Sequence, residues 1–141
     1  MSKTIMVIDG GTETLELYRK ILQDEGGYRV QTATFLPRML EAIKELRPDL
    51  IISDHDISAE DTGWQFLQRL KMDRETAGIP VIVCSGAIKT LREMEGYLTE
   101  KKIGILYKPF TADELLALVE RKLAESEYTS VLDLDKTEND G

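Results

Sequence analysis

Four side chains able to handle a phosphoryl group stand where short apolar runs of the sequence end. In a parallel sheet the carboxyl ends of neighbouring strands line one crevice, and ligands bind there. A carboxylate, a hydroxyl and an ammonium that meet in such a crevice form a pocket suited to a phosphoryl group. This pattern is the main indication of function, and its members are Asp9, Asp54, Ser85 and Lys108.

Five apolar runs alternate with segments of helical periodicity, which predicts five βα units. The predicted strands are 4–8, 28–33, 49–53, 81–85 and 103–107. Such units form a parallel sheet with helices on both faces. We therefore predict an α/β, doubly wound, flavodoxin-like fold of five parallel strands in the order 2-1-3-4-5. The alternating segment 28–33 then lies at an edge, and the strand ends that carry the four side chains share one rim.

Three predicted helices begin with a capping box, in which two side chains satisfy unpaired backbone N–H groups. The three matches are at Thr62–Gln65, Thr90–Glu93 and Thr111–Glu114, each just before an apolar periodic run. The apolar period ends near residue 125. The sequence therefore predicts one domain over residues 1–125 and a flexible acidic tail over 126–141.

Composition limits the function classes. Of 141 residues, 42% are hydrophobic and 31% are charged, and the net charge of −8 argues against a nucleic-acid ligand. We expect no signal peptide, because a strand begins almost at once, and no apolar run approaches the length of a membrane span. The single cysteine, Cys84, lies in an apolar run and is predicted to be a buried, reduced thiol, as in the cytoplasm.

Four segments, taken in order, resemble the receiver domain of two-component response regulators. They are Val7–Asp9, Pro48–Asp54, Ile79–Ala87 and Tyr107–Phe110, and the resemblance covers residues 3 to about 124. It implies a signalling domain that takes phosphate from a sensor histidine kinase or phosphotransfer protein and acts on an output protein or domain. It implies no enzyme activity beyond self-phosphorylation from small phosphodonors and autodephosphorylation.

The resemblance also implies a role for each pocket residue. Asp54 would be the phosphoacceptor, a carboxylate nucleophile that forms an aspartyl phosphate. Ser85 would hydrogen-bond the phosphoryl oxygens and report the change of state. Lys108 would pair with the phosphate as a point charge. Pro109 would hold the Lys108 loop through a cis peptide bond.

A Mg²⁺ ion is the cofactor that the resemblance implies. Its ligands would be Asp9, the side chain of Asp54 and the backbone carbonyl of Asp56. The residue expected to touch the metal directly is Gly10, which has no side chain, so we expect weakened binding. We hypothesise that the Asp56 carboxylate supplies part of the missing charge.

Other functions stay open at this point. Gly10, and Ile105 at the aromatic switch position of the family, favour a degenerate receiver that binds partners independently of phosphate. Asp54-His55-Asp56 reads as the DxD motif of haloacid-dehalogenase-like phosphohydrolases, but that family carries the motif on its first strand. A flavin-binding domain is a further alternative, although the first loop lacks a hydroxyl-rich phosphate cradle.

The predicted partner surface surrounds the fourth helix, the fifth strand and the fifth helix. Tyr97, Ile105 and Tyr107 form an apolar patch there or belong to the core. Receivers often use this face for partners, and it is the candidate surface for a homodimer. Neither nucleic acid nor a membrane is expected as a direct partner.

Overall fold

Five strands alternate with helices in the part of the chain that the structure describes. The structure is a computed structural model that describes residues 2–9, 12–33, 39–54 and 62–140, with the backbone alone for Asp9, 12–13, 62–64 and 128–140. The strands are β1 (Thr4–Asp9), β2 (Arg29–Ala33), β3 (Leu50–Asp54), β4 (Val81–Ser85) and β5 (Gly104–Tyr107). The helices are α1 (Thr12–Arg19), which continues as a π-helical turn over Lys20–Glu25, α2 (Met39–Leu46), α3 (Thr62–Met72), α4 (Ile88–Glu93), α5 (Glu95–Glu100) and α6 (Ala112–Asp140).

The strands form one parallel sheet in the order β2-β1-β3-β4-β5, which confirms the predicted topology. β2 lies at an edge, as its alternating sequence predicts, and Val30 is its buried residue. Backbone pairing sets Asp9 beside Asp54 and Asp54 beside Cys84. The strand ends that carry the predicted pocket residues therefore lie level with one another at one edge of the sheet.

Each face of the sheet carries its own hydrophobic core. Successive residues of β1 are buried on opposite faces of the sheet. Val7 belongs to the cluster under α1 and α6, and Ile8 belongs to the cluster under α2, α3, α4 and α5. This two-sided burial explains why the central strands read as continuous apolar runs. Cys84 is buried in the first cluster, as predicted. Among the described residues, no helix is both long and apolar enough to cross a membrane.

The predicted fourth helix is two helices, α4 and α5, which meet at Met94. The backbone N–H of Met94 donates to the carbonyls of Thr90 and Leu91, in the tight geometry typical of a helix end. Gly96, a poor helix former, then lies in the first turn of α5. The capping box predicted at Thr90 is wrong, because α4 begins at Ile88 without a side-chain cap and Thr90 lies inside it.

The capping box before α6 is confirmed. Glu114 N–H donates to Thr111 Oγ1 at 3.1 Å, and Thr111 N–H donates to Glu114 Oε1 at 3.2 Å. α6 continues to Asp140, so the prediction that helical structure ends near residue 125 is wrong. The chain has no glycine or proline between residues 126 and 140 that would end a helix. The flexibility of that segment stays a prediction.

Candidate functional site

Asp54, Ser85 and Lys108 meet at the carboxyl edge of the sheet. Asp54 is the last residue of β3, Ser85 is the last residue of β4, and Lys108 directly follows β5. Asp54 and Ser85 are each 1% exposed, because helices cover both faces of the sheet. The structure thus brings together three of the residues that the sequence predicts for the pocket.

The Asp54 carboxylate forms an ion pair with Lys108. Lys108 Nζ contacts Asp54 Oδ1, and the lysine side chain remains 37% exposed. A buried carboxylate is costly unless a cation or hydrogen-bond donors compensate it. Lys108 provides that compensation while its partial exposure leaves it accessible from the rim.

The second oxygen of Asp54 is held by a residue that the sequence did not predict for the site. The Tyr18 hydroxyl donates to Asp54 Oδ2 at 2.5 Å, and Tyr18 is completely buried. Burial, with smaller contributions from Cys84 and Asp54, raises the pKa of Tyr18 far above its usual value. The tyrosine is therefore a neutral hydrogen-bond donor at physiological pH.

A signal for Tyr18 was present in the sequence. Tyr18 lies on the apolar stripe of the first helix, at a position that periodicity directs into the core. A buried tyrosine needs a partner for its hydroxyl, because an unpaired buried hydroxyl is costly. Its partner is 36 residues away along the chain, and only the packing of α1 on the sheet shows which acceptor it reaches.

The turn after β5 joins Lys108 to the rest of the pocket. The Lys108–Pro109 peptide bond is cis, which confirms the expectation from the resemblance. Lys108 N–H donates to the Ser85 carbonyl at 3.0 Å, so the turn is tied to the end of β4. The ring of Phe110 lies 5.7 Å from that of Tyr18, centroid to centroid, at an angle of 32°. Tyr18 therefore contacts both Asp54 and the segment that carries Lys108.

Ser85 faces the turn that leads into α4. Its Oγ accepts a hydrogen bond from the backbone N–H of Ala87 at 3.0 Å. A Cβ added to Gly86 would lie 3.9 Å from the Lys108 Cβ, so the two turns stand close together. The hydroxyl and the ammonium are thus carried by adjacent, mutually bonded turns.

The predicted metal ligands are described in part. The backbone of Asp9 pairs with that of Asp54, whereas Gly10, His55 and Asp56 lie outside the described residues. Within the described residues, no group of three or more histidine, cysteine, aspartate or glutamate side chains could hold a metal. Mg²⁺ is usually held by one or two carboxylates together with water and phosphate oxygens. Among the described side chains, Asp54 supplies one such carboxylate at this edge of the sheet.

The chain is similar to receiver domains of known proteins over most of its length. Residues 5–120 match the family described as response regulator receiver domain. Response regulator Rre1 of a Synechocystis species is 30% identical over 127 residues, which cover 90% of this chain and 54% of that protein. The probable transcriptional regulator ycf29 of Porphyra purpurea is 28% identical over 130 residues, covering 92% and 61%. The chain thus spans little more than half the length of these relatives.

Solved structures share its architecture. NtrX from Brucella abortus superposes with a TM-score of 0.77 at 28% identity, covering 95% of this chain and 30% of that one. The chemotaxis response regulator CheY4 of Vibrio cholerae gives 0.71 at 25% identity, covering 86% and 98%. The strand order is the one predicted from the sequence, and Asp54 is paired with Lys108 at the strand ends. The family match covers residues 5–120. The chain belongs to the response regulator receiver domains of two-component signalling.

Proposed function

We propose that this domain accepts a phosphoryl group on Asp54 from the phosphohistidine of a sensor histidine kinase or phosphotransfer protein. The observation that supports this most directly is the buried Asp54 carboxylate paired with Lys108 at the shared strand edge. A positioned carboxylate is an established class of nucleophile for phosphoryl transfer. Phosphorylation then shifts a protein-interaction surface between two states.

Each pocket residue has its own role in the proposed phosphoryl transfer. One oxygen of Asp54 attacks phosphorus while the bond from phosphorus to the histidine nitrogen breaks, and that electron pair returns to the imidazole. Charge spreads over the three remaining phosphoryl oxygens in the transition state. Lys108 turns from the carboxylate to these oxygens as a point charge, and Ser85 donates a hydrogen bond to one of them.

The proposed cofactor is Mg²⁺, which receiver domains generally bind at their acidic pocket. When bound, the ion neutralises charge on the phosphoryl oxygens. Asp9 and Asp54 would hold it through carboxylate oxygens, with the backbone carbonyl of Asp56. The Asp56 carboxylate is proposed to replace part of the charge missing at Gly10.

The output surface remains a proposal. Tyr97, Ile105 and Tyr107 are half-buried and pack against the core cluster under α4 and α5, which leaves part of each ring or side chain accessible. The face formed by α4, α5, β5 and α6 is the proposed site for an output partner or a second copy. The proposed compartment is the cytoplasm, where a lone thiol such as Cys84 stays reduced.

A second candidate function is a protein-interaction module whose output does not depend on phosphate. The hydrogen bond from Tyr18 to Asp54 Oδ2 favours it, because a donor on the acceptor oxygen lowers its nucleophilicity. Gly10 at the metal position favours it as well.

One experiment separates the candidates. The protein is incubated with phosphoramidate or acetyl phosphate and Mg²⁺, and its intact mass is recorded over time. A single phosphate adduct that is absent in Asp54→Asn and retained in the exposed control Asp24→Asn supports the phosphoacceptor. No adduct at high Mg²⁺ supports the phosphate-independent module. Repeated turnover of phosphomonoesters would indicate a phosphohydrolase instead.

A further inference from the structure

The Tyr18 hydroxyl is a hydrogen-bond donor that the fold holds in place against Asp54. It donates to Asp54 Oδ2 at 2.5 Å, and the tyrosine side chain is completely buried. The same hydroxyl lies beside the thiol of Cys84 on β4, and the ring packs on Phe110 at 5.7 Å between centroids. Close packing against several elements leaves a buried ring little room to move. We therefore expect the hydroxyl to stay at Asp54 while the charge of that residue changes.

Lys108 differs from Tyr18 in this respect. It contacts Oδ1 of Asp54 with a side chain that is 37% exposed and has a long, flexible stem. In the proposed transfer its ammonium turns from the carboxylate to the phosphoryl oxygens. Burial raises the pKa of Tyr18 well above its usual value, with smaller contributions from Cys84 and Asp54, so the hydroxyl keeps its proton. Tyr18 is thus a neutral donor on the Asp54 carboxyl group both before and after phosphorylation.

Phosphorylation changes the strength of this hydrogen bond. The free carboxylate carries a full negative charge, whereas in the aspartyl phosphate one oxygen is esterified to phosphorus and the other becomes a neutral carbonyl. A hydrogen bond to an ionised acceptor is about twice as strong as one to a neutral acceptor. The difference holds whichever oxygen of Asp54 attacks, because both oxygens lose their charge. The Tyr18 hydroxyl therefore favours free over phosphorylated Asp54, by roughly tenfold in the equilibrium constant.

We propose that Tyr18 is a positioning residue that shortens the lifetime of the aspartyl phosphate, because its hydroxyl stabilises the carboxylate that is released. In hydrolysis, a water oxygen attacks phosphorus and the bond from phosphorus to the Asp54 oxygen breaks. That electron pair returns to the carboxylate, and the water proton leaves with inorganic phosphate or passes to solvent. Negative charge develops over both carboxylate oxygens as the bond breaks, so a fixed donor on this group lowers the barrier. This role of Tyr18 rests on the proposed function of Asp54 as the phosphoacceptor.

The same hydrogen bond slows the arrival of the phosphoryl group. A carboxylate that Tyr18 stabilises is a weaker nucleophile, so Asp54 is phosphorylated more slowly as well as dephosphorylated faster. Both effects lower the phosphorylated fraction at a given supply of donor. The domain then stays phosphorylated only while its phosphodonor is active, and a residue of α1 sets how soon it returns to the resting state.

The first test is the lifetime of the adduct, measured on the full chain. The protein is phosphorylated with phosphoramidate and Mg²⁺, the donor is removed by rapid desalting, and decay is followed by intact mass. Tyr18→Phe removes the hydroxyl and keeps the ring, and we expect its adduct to form faster and to decay roughly three- to tenfold more slowly than in wild type. Tyr28→Phe is the matched control, because Tyr28 packs on the same core cluster and its loss of a hydroxyl should leave the lifetime unchanged. An equal or shorter lifetime in Tyr18→Phe overturns the proposal.

The second test uses the wild-type protein, so it does not depend on the variant folding. The Tyr18 hydroxyl proton, buried and hydrogen-bonded to a carboxylate, should give a protected downfield proton resonance. We expect this resonance to persist and move upfield when excess phosphoramidate keeps the protein phosphorylated, because its acceptor has become neutral. A merely structural role of the ring would leave the hydrogen bond equally strong in both states. A resonance at the same chemical shift in both states therefore overturns the proposal.

Asp54→Asn, carried through the same mass measurement, separates the role of Tyr18 from the proposed function. If neither wild type nor Tyr18→Phe forms an adduct on Asp54, the proposed function fails and the role of Tyr18 fails with it. If both form adducts that Asp54→Asn abolishes, with equal lifetimes, the role of Tyr18 fails and the function stands. An adduct that accumulates only in Tyr18→Phe supports the role of Tyr18, because the hydroxyl then suppresses phosphorylation in wild type.

Discussion

The aromatic rings of Tyr18 and Phe110 join α1 to the turn that follows Lys108, with 5.7 Å between their centroids. Both rings belong to or pack against the same core cluster, and the tyrosine hydroxyl reaches Asp54. The Asp54 carboxylate is thus in contact with Lys108 directly and with the Lys108 turn through an aromatic pair.

This aromatic contact should appear as an energetic coupling. In a double-mutant cycle of Tyr18→Leu and Phe110→Leu, we expect a coupling of about 0.5–1.5 kcal/mol, the usual value for an aromatic pair. The hydrogen bond from Tyr18 to Asp54 is lost both with and without Phe110, so its energy cancels in the coupling. Unfolding in urea gives the free energies. The same cycle with Phe66→Leu should give a coupling near zero, since Phe66 lies in the other cluster.

Lys108→Met should slow phosphorylation from small donors by about tenfold or more, because the transferring group loses a positioned positive charge. The measurement is the initial rate of adduct formation at saturating Mg²⁺. Lys89→Met, which removes an exposed lysine of α4, is the control and should keep the wild-type rate. A Lys108→Met rate equal to wild type would contradict the role assigned to this residue.

Gly104→Ala should destabilise the fold by about 1–3 kcal/mol through overpacking. A Cβ at this position would lie 3.0 Å from Lys122 Cε and 3.2 Å from Ile82 Cγ1. Lys122 cannot easily yield, because its ammonium donates to the Lys102 carbonyl and pairs with Glu125. Urea unfolding measures the change, and Gly78→Ala, where a Cβ meets open space, should stay within about 0.5 kcal/mol of wild type.

Lys71 should make stability rise with pH in the alkaline range. Its ammonium donates to the carbonyl of Ile79 at 3.1 Å, and burial, helped by the charge of Lys122, lowers the pKa of Lys71 to about 8 from 10.5. Between these values the unfolded chain binds more protons than the folded one, so the free energy of unfolding increases with pH.

Lys71→Met tests this sign. In the wild type we expect the free energy of unfolding to rise with pH by on the order of 1 kcal/mol, after allowance for the partial exposure of Lys71. The variant should not show this rise. Urea unfolding of both proteins across pH 8 to 10.5 isolates the effect from other lysines and tyrosines. Lys101→Met, at an exposed position, should keep the wild-type slope.

Local patterns were enough to predict the sheet and the trio of Asp54, Ser85 and Lys108. Strand order followed from five strand-like runs, one of which alternates between apolar and polar residues, and a parallel sheet brings successive strand ends to one edge by geometry alone. The site residues were therefore located once the strands were located.

Features that depend on tertiary packing were missed. Tyr18 reaches Asp54 only because α1 packs on the sheet at one particular rotation, which periodicity does not specify to the level of a hydroxyl. The break at Met94 and the capping position before α4 depend on how the chain leaves β4. The extension of α6 followed from weak helix preferences in a polar segment, where no apolar period marks the helix.

The length of α6 has a mechanical consequence. The helix begins at Ala112, four residues after Lys108, and its 29 residues make a rod about 43 Å long. Leu123 is its last buried side chain among those described, so roughly the second half extends past the core. A rotation of about 5° at its base moves its far end by about 4 Å. A small change in the tilt of α6 is therefore amplified along its length.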